Sequence, residues 1–133
     1  MGMVDKKYLS WQDVERLVNR IADQIDKSEI KYIYGLSRGG LIPAVMLSHI
    51  TGIPYSKTPT THGKECLIVD DICDSGKTLS EWHDHHTAVL YHKPHTACTT
   101  PDIWGELYIG NSWIIYPWEK KDSDTIQDYK LDN

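Results

Sequence analysis

Three aspartates and a run of small polar residues follow one another in the segment of residues 67–79. An apolar stretch leads into the adjacent carboxylates of Asp70 and Asp71, and Asp74 follows three residues later. Adjacent carboxylates repel each other, so the pair needs a cation or hydroxyl groups as partners. The residues that follow are Ser75, Gly76, Lys77 and Thr78. Small hydroxyl-bearing residues and glycine at the start of a helix form an anion cradle, which predicts a phosphate-binding loop.

The sequence Gly76-Lys77-Thr78 also invites comparison with the phosphate loop of nucleoside triphosphatases. That loop has another glycine five positions before the glycine that precedes the lysine. Here Asp71 occupies this position. The triphosphatase hypothesis is therefore rejected.

A second candidate ligand loop, Ser37-Arg38-Gly39-Gly40, lies between a predicted strand and a predicted helix. Its two glycines let the backbone approach a ligand closely, the helix start offers N–H groups, and the guanidinium of Arg38 adds positive charge. This combination suits a phosphate or a pyrophosphate. A plain turn before a helix is the alternative interpretation of the same residues.

The elements that position these loops are predicted from hydrophobic periodicity and turn residues. Ser10 and Asp13 form a capping-box pattern in front of the first helix. The predicted helices are residues 11–26, 41–50 (ended by Gly52) and 79–85, and the predicted strands are residues 31–36, 53–57, 66–69, 88–91, 107–109 and 113–116. Alternating strands and helices predict an α/β fold with an open, mostly parallel sheet. Ligands bind such sheets at the carboxyl ends of the strands, where both loops lie.

Length and composition limit the function further. The 133 residues predict a single domain spanning residues 1–133. A net charge of −5, without a stripe rich in lysine and arginine, argues against nucleic acid as a partner. No apolar run approaches the ~20 residues that cross a bilayer, and no secretory signal is visible, so we expect a cytoplasmic protein without a membrane partner. Three cysteines, an odd number, favour free thiols.

The segment of residues 67–79 resembles the signature of type I phosphoribosyltransferases, which holds the ribose 5-phosphate of phosphoribosyl pyrophosphate. The loop of residues 37–40 is similar to the pyrophosphate loop of that family. Lys93-Pro94 and residues 113–119 resemble the base-binding hood of its xanthine-guanine branch, as does Tyr8-Leu9-Ser10-Trp11 before a helix. The resemblance covers most of the chain. It implies the type I phosphoribosyltransferase fold, with a small hood formed by the N-terminal segment and residues 94–119.

The resemblance implies a role for each residue of the two loops. Asp70 and Asp71 would face the ribose hydroxyls and hold Mg²⁺, through those hydroxyls or through water. Asp74 would accept a proton from the purine ring as a general base. The 5-phosphate would be surrounded by Ser75, Gly76, Lys77 and Thr78. Pyrophosphate would be held by Ser37, Arg38 and Gly39.

The resemblance also implies three base-binding residues. Lys93 would donate to the exocyclic oxygen of a 6-oxopurine, Trp113 would stack on the purine, and the carbonyl of Ile114 would accept from a 2-amino group. Two of them have plain structural alternatives. Lys93 could be an ordinary surface lysine at a strand end, and Trp113 could be a core residue.

The connection before residue 66 departs from the family pattern. Family members usually carry a long flexible lid there, whereas this chain has only residues 58–65. Such a connection is too short to fold over the site and exclude water. Either another subunit covers the site, or turnover is slow, or the protein binds nucleotides without catalysing transfer. Lys77 also replaces a smaller residue, which would strengthen phosphate binding.

The leading hypothesis is a cytosolic, Mg²⁺-dependent purine phosphoribosyltransferase of purine salvage. It would convert guanine, xanthine or hypoxanthine and phosphoribosyl pyrophosphate into the nucleoside monophosphate and pyrophosphate. The main alternative is a regulatory protein that binds nucleotides or phosphoribosyl pyrophosphate without catalysis. Transfer to a pyrimidine is a more remote alternative. A homo-oligomer is expected, as is usual for the family.

Histidines near the middle of the chain form another candidate site, because imidazole and thiolate are good Zn²⁺ ligands. The residues concerned are His83, His85, His86, His92, His95 and Cys98. Their spacing matches no closed zinc pattern, so solvated histidines are the expectation and a metalloprotein the most remote alternative.

Overall fold

A computed structural model describes residues 5–36, 38–59 and 63–119. Within these ranges the helices are α1 (Trp11–Gln24), α2 (Leu41–Thr51) and α3 (Lys77–Ser80), with a 3₁₀ turn at Gly63–Glu65. The strands are β1 (Lys6–Tyr8), β2 (Tyr32–Gly35), β3 (Cys66–Cys73), β4 (His86–His92), β5 (Ile103–Leu107) and β6 (Trp113–Ile115). None of these helices is long and apolar enough to cross a membrane. The polar C-terminal stretch from Lys120 lies outside the described residues.

The main sheet has four parallel strands in the order β2-β3-β4-β5. The predicted α/β fold with an open parallel sheet is therefore confirmed. Strands β1 and β6 form a separate two-stranded parallel sheet, in which Lys7 lies opposite Ile114. Residues 94–119, the range predicted for the hood, contribute to both sheets. Strand β6 pairs with the N-terminal strand β1, whereas β5 belongs to the main sheet.

Both faces of the main sheet are covered. On one face, α1 and α2 pack through residues such as Leu17 and Leu47 against alternate strand residues such as Leu90. On the other face, Leu79 of α3 joins a smaller cluster with Val89 and Cys73. Neighbouring strand residues serve opposite faces because side chains alternate along a strand. Central parallel strands are accordingly apolar on both faces, as the sequence of β3 predicts.

The first helix begins as its sequence predicts. The N–H of Asp13 donates to Ser10 Oγ at 3.1 Å, and the N–H of Ser10 donates to Asp13 Oδ2 at 2.9 Å. This reciprocal capping box satisfies two N–H groups that the helix itself leaves without partners. The helix ends at Gln24, two residues before the predicted end.

The second helix is apolar on more than its buried face. Gly52 ends it in the left-handed conformation, with φ 77°, as predicted. Pro43, Ala44 and Leu47 are buried. The exposed apolar residues of this helix are Leu41, Val45 and Ile50. An apolar helix surface of this kind suits contact with another protein surface.

Two predicted strands are wrong in extent. The expected edge strand at residues 53–57 is reduced to a single bridge between Tyr55 and Ile33. The strand expected at 107–109 shares only Leu107 with β5, which runs from Ile103 to Leu107. Its centre is Gly105, a residue that weakens strand patterns. Here a Cβ would lie 2.8 Å from the carbonyl oxygen of Leu90, so close packing requires glycine.

The segment that carries the candidate site also differs from its prediction. Strand β3 was expected to end at Val69, but pairing continues through Ile72 opposite Tyr91 to Cys73 opposite His92. Helix α3 begins at Lys77 and ends at Ser80, whereas residues 79–85 were predicted. After Ser80 the chain forms turns, where Lys64 Nζ donates to the carbonyl of His83 at 3.4 Å.

Candidate active site

The two predicted ligand loops meet at the carboxyl ends of β2 and β3. Gly35 of β2 lies opposite Val69 of β3, and the turn that follows β2 contains Arg38 and Gly39. A Cβ on Gly39 would lie within 3 Å of every carboxylate atom of Asp71. The turn can therefore lie against this carboxylate only because residue 39 has no side chain. Ser37, the remaining predicted pyrophosphate residue, lies outside the described residues.

The paired carboxylates are half-buried at the end of the sheet. Asp70 Oδ1 accepts the N–H of Asp71 at 2.9 Å, and Asp71 Oδ1 accepts the N–H of Ile72 at 2.8 Å. These bonds to the strand backbone hold both side chains near their own main chain. The pair therefore stands next to the Arg38–Gly39 turn as a fixed source of negative charge.

These carboxylates also fit a magnesium ion. The described residues contain no group of three or more His, Cys, Asp or Glu side chains that could hold a metal. Mg²⁺ prefers oxygen donors and is commonly held by one or two carboxylates, with waters and substrate phosphates completing its shell. Asp70 and Asp71 supply donors of that kind at a place where a phosphorylated ligand would lie.

The phosphate loop follows directly. Gly76 is buried with φ 82°, and helix α3 begins at the next residue. The N–H of Lys77 donates to Ser75 Oγ at 3.3 Å, and the side chains of Ser75, Lys77 and Thr78 are exposed. The loop is supported from behind, since the N–H of Cys98 donates to the carbonyl of Ser75 at 2.8 Å. The loop therefore presents two hydroxyls and an ammonium to solvent, groups that suit an anion.

Asp74 and Lys93 come together from different strands. Lys93 Nζ lies 3.6 Å from Asp74 Oδ2, and the N–H of Lys93 donates to the carbonyl of Cys73 at 2.9 Å. Lys93 is only 9% exposed, which excludes the alternative of an ordinary surface lysine. The neighbouring Cys73 thiol is no nucleophile, because burial raises its pKa to about 11. A donor and an acceptor therefore stand side by side at this end of the sheet.

Trp113 and Ile114 lie on β6, at the edge of the small sheet. The N–H of Trp113 donates to the carbonyl of Asp5, and the carbonyl of Ile115 accepts the N–H of Leu9. Alternate residues of a parallel pair bond to the same neighbour, so the carbonyl of Ile114 points away from β1. Trp113 is half-buried and lies outside both core clusters formed by the described residues, which argues against the core alternative.

An aromatic contact links the small sheet to Lys93. The ring of Tyr108 lies 5.6 Å from Lys93 Nζ and 5.3 Å from Nζ of Lys7, which pairs with Ile114. Ammonium groups within about 6 Å of an aromatic ring are attracted to its face. The two base-binding elements predicted from the sequence are therefore joined through a residue that the prediction did not include.

Comparison with known proteins identifies the family. The family model "Phosphoribosyl transferase domain" matches residues 43–98. A purine phosphoribosyltransferase structure from Pyrococcus horikoshii is 34% identical, with a TM-score of 0.72, and the match covers 92% of this chain and 99% of that chain. The chain belongs to the phosphoribosyltransferase family. Xanthine-guanine phosphoribosyltransferases from Cereibacter sphaeroides and Idiomarina loihiensis are 28% and 24% identical, each over 84% of this chain and 86% of their own length. Membership places the protein among the transferases.

In this phosphoribosyltransferase, Tyr116 is a site residue that sequence reasoning missed. It is 2% exposed, and its hydroxyl donates to the carbonyl of Asp71 at 3.0 Å. Burial, with the nearby charges of Asp71 and Asp70, raises the pKa of Tyr116 well above its usual value, so the hydroxyl keeps its proton. The composition, with 8 Tyr and no Phe, indicates that aromatic side chains of this protein make hydrogen bonds. It did not show which tyrosine makes this one.

We expect Tyr116→Phe to lower the free energy of unfolding by about 0.5–1.5 kcal/mol, because the hydrogen bond from this hydroxyl to the half-buried carbonyl of Asp71 is lost. Denaturant titration measures the change. Tyr55→Phe is the matched control, since Tyr55 is half-buried and its hydroxyl has no hydrogen-bond partner among the described residues. Equal effects of the two substitutions would contradict the role of this hydrogen bond.

The histidines of the phosphoribosyltransferase are spread over several environments. His83 is exposed beside Asp84 at 3.2 Å, and His86 Nδ1 lies 2.6 Å from the carbonyl oxygen of Lys64. His92 is buried against Trp104, and burial lowers its pKa. His86 and His92 stand at opposite ends of β4, about 20 Å apart at ~3.3 Å per residue, so they cannot share one metal ion.

Proposed function

We propose that this protein is a Mg²⁺-dependent purine phosphoribosyltransferase that transfers ribose 5-phosphate from phosphoribosyl pyrophosphate to a 6-oxopurine. The observation that carries the proposal is the side-by-side placement of Lys93 Nζ and Asp74 Oδ2, 3.6 Å apart. An ammonium only donates hydrogen bonds and an ionised carboxylate only accepts them. A 6-oxopurine has an acceptor, O6, next to the N7–H donor on the same edge. Adenine would instead present an amino donor to the ammonium.

Asp74 would act as the general base. As the purine N9 attacks the anomeric carbon, the bond from that carbon to pyrophosphate breaks, and the N7 proton passes to Asp74 Oδ2. Removing this proton keeps the base from accumulating positive charge, and a positioned acceptor of this kind contributes about 10²- to 10⁴-fold to a rate. Lys93 would meanwhile hold O6 and so fix the orientation of the ring.

The remaining residues would bind the two phosphorylated ends of the substrate. The 5-phosphate would be surrounded by Ser75, Gly76, Lys77 and Thr78. The position of these residues at the start of α3 supports this role. Ser37, Arg38 and Gly39 would hold the pyrophosphate. Asp70 and Asp71 would hold Mg²⁺ near the ribose hydroxyls, and the bound ion would stabilise negative charge on the leaving pyrophosphate.

The hood would complete the base site. Trp113 would stack on the purine, and the Ile114 carbonyl at the sheet edge would accept from a 2-amino group, as guanine carries. The proposal includes guanine, xanthine and hypoxanthine as substrates, with nucleoside monophosphate and pyrophosphate as products in purine salvage. The names of the relatives, xanthine-guanine and purine phosphoribosyltransferase, support this substrate class.

A base panel tests the proposal. Purified protein with phosphoribosyl pyrophosphate and Mg²⁺ should release pyrophosphate with guanine, xanthine or hypoxanthine, and much less with adenine or uracil. Chelation of Mg²⁺ should abolish release. Preference for uracil would point to a pyrimidine enzyme and contradict the proposal.

The short connection of residues 58–65 favours a second candidate, a protein that binds phosphoribosyl pyrophosphate or nucleotides without transfer. Calorimetric titration beside the activity assay separates the two, because binding without turnover on any base would support the second. One comparison favours catalysis. The match covers 99% of a Pyrococcus horikoshii chain that is named a purine phosphoribosyltransferase. A chain of similar length therefore carries that name.

We also propose a cytoplasmic homo-oligomer. Cys66, Cys73 and Cys98 form no disulfide bond, which supports a reducing compartment. The exposed apolar residues Leu41, Val45 and Ile50 of α2 support contact between copies of the chain. Light scattering coupled to gel filtration measures the mass in solution, and a monomer at micromolar concentration would contradict the oligomer.

A further inference from the structure

An exposed hydroxyl donates to the carboxylate of Asp74. Thr96 lies in the turn after β4, and its Oγ1 lies 2.8 Å from Asp74 Oδ1 and 2.8 Å from the carbonyl oxygen of Asp74. Lys93 of the same turn approaches the other carboxylate oxygen, Oδ2. The two carboxylate oxygens of Asp74 therefore have different partners: Thr96 contacts Oδ1, and Lys93 contacts Oδ2.

We infer that Thr96 is a positioning residue for Asp74 in the transfer reaction, an inference that rests on the proposed function. The side chain of Asp74 is 41% exposed, so packing alone does not hold it. The terminal torsion of an aspartate is broad and roughly two-fold, which lets the two oxygens exchange places. With Oδ1 held by Thr96, Oδ2 stays beside Lys93, where the base would present N7–H next to O6.

The position of the Thr96 hydroxyl suits both protonation states of Asp74. A hydroxyl has one proton to donate, and here it has two acceptors at equal distance. While the carboxylate is ionised, the hydroxyl donates to Oδ1. After Oδ2 has taken the proton of the base, the same hydroxyl can turn to the backbone carbonyl without movement of any heavy atom.

The backbone fixes the reach of this hydroxyl. Within the turn, the N–H groups of Thr96 and Ala97 donate to the carbonyl of Lys93 at 3.3 and 3.1 Å. The N–H of Lys93 donates to the carbonyl of Cys73 at 2.9 Å, and the N–H of Cys98 donates to the carbonyl of Ser75 at 2.8 Å. The turn is thus anchored to the loop on both sides of Asp74. Thr96 reaches Asp74 from a rigid support, as positioning requires.

Three substitutions test the inference by steady-state kinetics with hypoxanthine and phosphoribosyl pyrophosphate. Thr96→Val removes the hydroxyl at nearly constant shape, Thr96→Ser keeps it, and Thr100→Val makes the same chemical change at an exposed threonine in the same segment. We expect Thr96→Val to lower kcat about five- to tenfold, in line with the loss of one solvent-exposed hydrogen bond of ordinary net strength. KM for phosphoribosyl pyrophosphate should change less than twofold, and Thr96→Ser and Thr100→Val should keep wild-type rates.

Each other outcome overturns the inference. An unchanged kcat in Thr96→Val would remove the role of the hydroxyl, and equal losses in Thr96→Val and Thr96→Ser would assign the effect to the methyl group. A rise in KM for phosphoribosyl pyrophosphate at constant kcat would place Thr96 in phosphate binding. Thermal midpoints of all variants show whether each is folded. A wild-type protein without turnover would overturn the proposed function itself, which distinguishes the two failures.

Discussion

Asp74→Asn should lower kcat for guanine or hypoxanthine by about 10²- to 10³-fold, the contribution expected of a positioned general base. Asparagine keeps the size of the side chain and can still accept the Thr96 hydroxyl through its Oδ1. It cannot take a proton from the base. The exposure of Asp74, with 41% of its side chain accessible, means that the substitution leaves the core intact.

Binding of phosphoribosyl pyrophosphate separates this role from a structural one. Calorimetric Kd should change less than about threefold, because the 5-phosphate contacts proposed for Ser75 to Thr78 remain. Asp23→Asn, at an exposed position of α1, is the matched control and should keep wild-type kcat. Equal turnover of Asp74→Asn and wild type would remove Asp74 from the general-base role. A parallel loss of binding would assign it to substrate binding.

The parts of the site that are contiguous in the chain were predictable. Asp70, Asp71 and Asp74 lie within five positions, and the chemistry of adjacent carboxylates before a glycine-containing helix start can be inferred from residue types alone. The meeting of this segment with Arg38 and Gly39 was also predictable, because carboxyl ends of parallel strands share one edge of the sheet. The comparison at 34% identity agrees with the family that these motifs indicated.

Contacts between distant residues were not predictable from one sequence. Tyr116 reaches Asp71 across 45 positions, and Thr96 reaches Asp74 across 22. Thr96 lies in no motif, and the resemblance of residues 113–119 to the hood assigns no contact to Tyr116. Both contacts depend on where the fold places a turn or a strand end. The placement of β5 failed for a related reason, since Gly105 weakens a strand pattern but is required where the chain packs against Leu90 and Leu17.

The end of β3 was missed because local preference and tertiary pairing disagree. Aspartate is uncommon in strands, so Asp70 and Asp71 indicated that the strand ends at Val69. Pairing with β4 continues to Cys73 and His92. This extension has a functional consequence, because it carries Asp74 to the level of Lys93, the residue directly after β4.

Lys93→Met should reduce discrimination at position 6 of the purine. Methionine keeps an unbranched side chain of similar length in a position that is only 9% exposed, but it has no donor for O6. A hydrogen bond to a charged group contributes about 1.5–3 kcal/mol, so kcat/KM for hypoxanthine should fall about 10- to 100-fold. Adenine differs from hypoxanthine at position 6, where its amino group gains nothing from an ammonium. Its competitive inhibition constant should therefore stay the same or fall.

The ratio between the two ligands is the informative quantity, because a general loss of the base site would weaken both together. Lys57→Met, at an exposed lysine, is the control and should leave both values unchanged. A parallel loss for hypoxanthine and adenine would mean that Lys93 supports the site only through Asp74 and the ring of Tyr108. A selective loss for hypoxanthine would instead assign recognition of O6 to the ammonium. Asp74 would then need only to face N7, and the two neighbouring atoms at 3.6 Å would account for both the orientation of the base and its deprotonation.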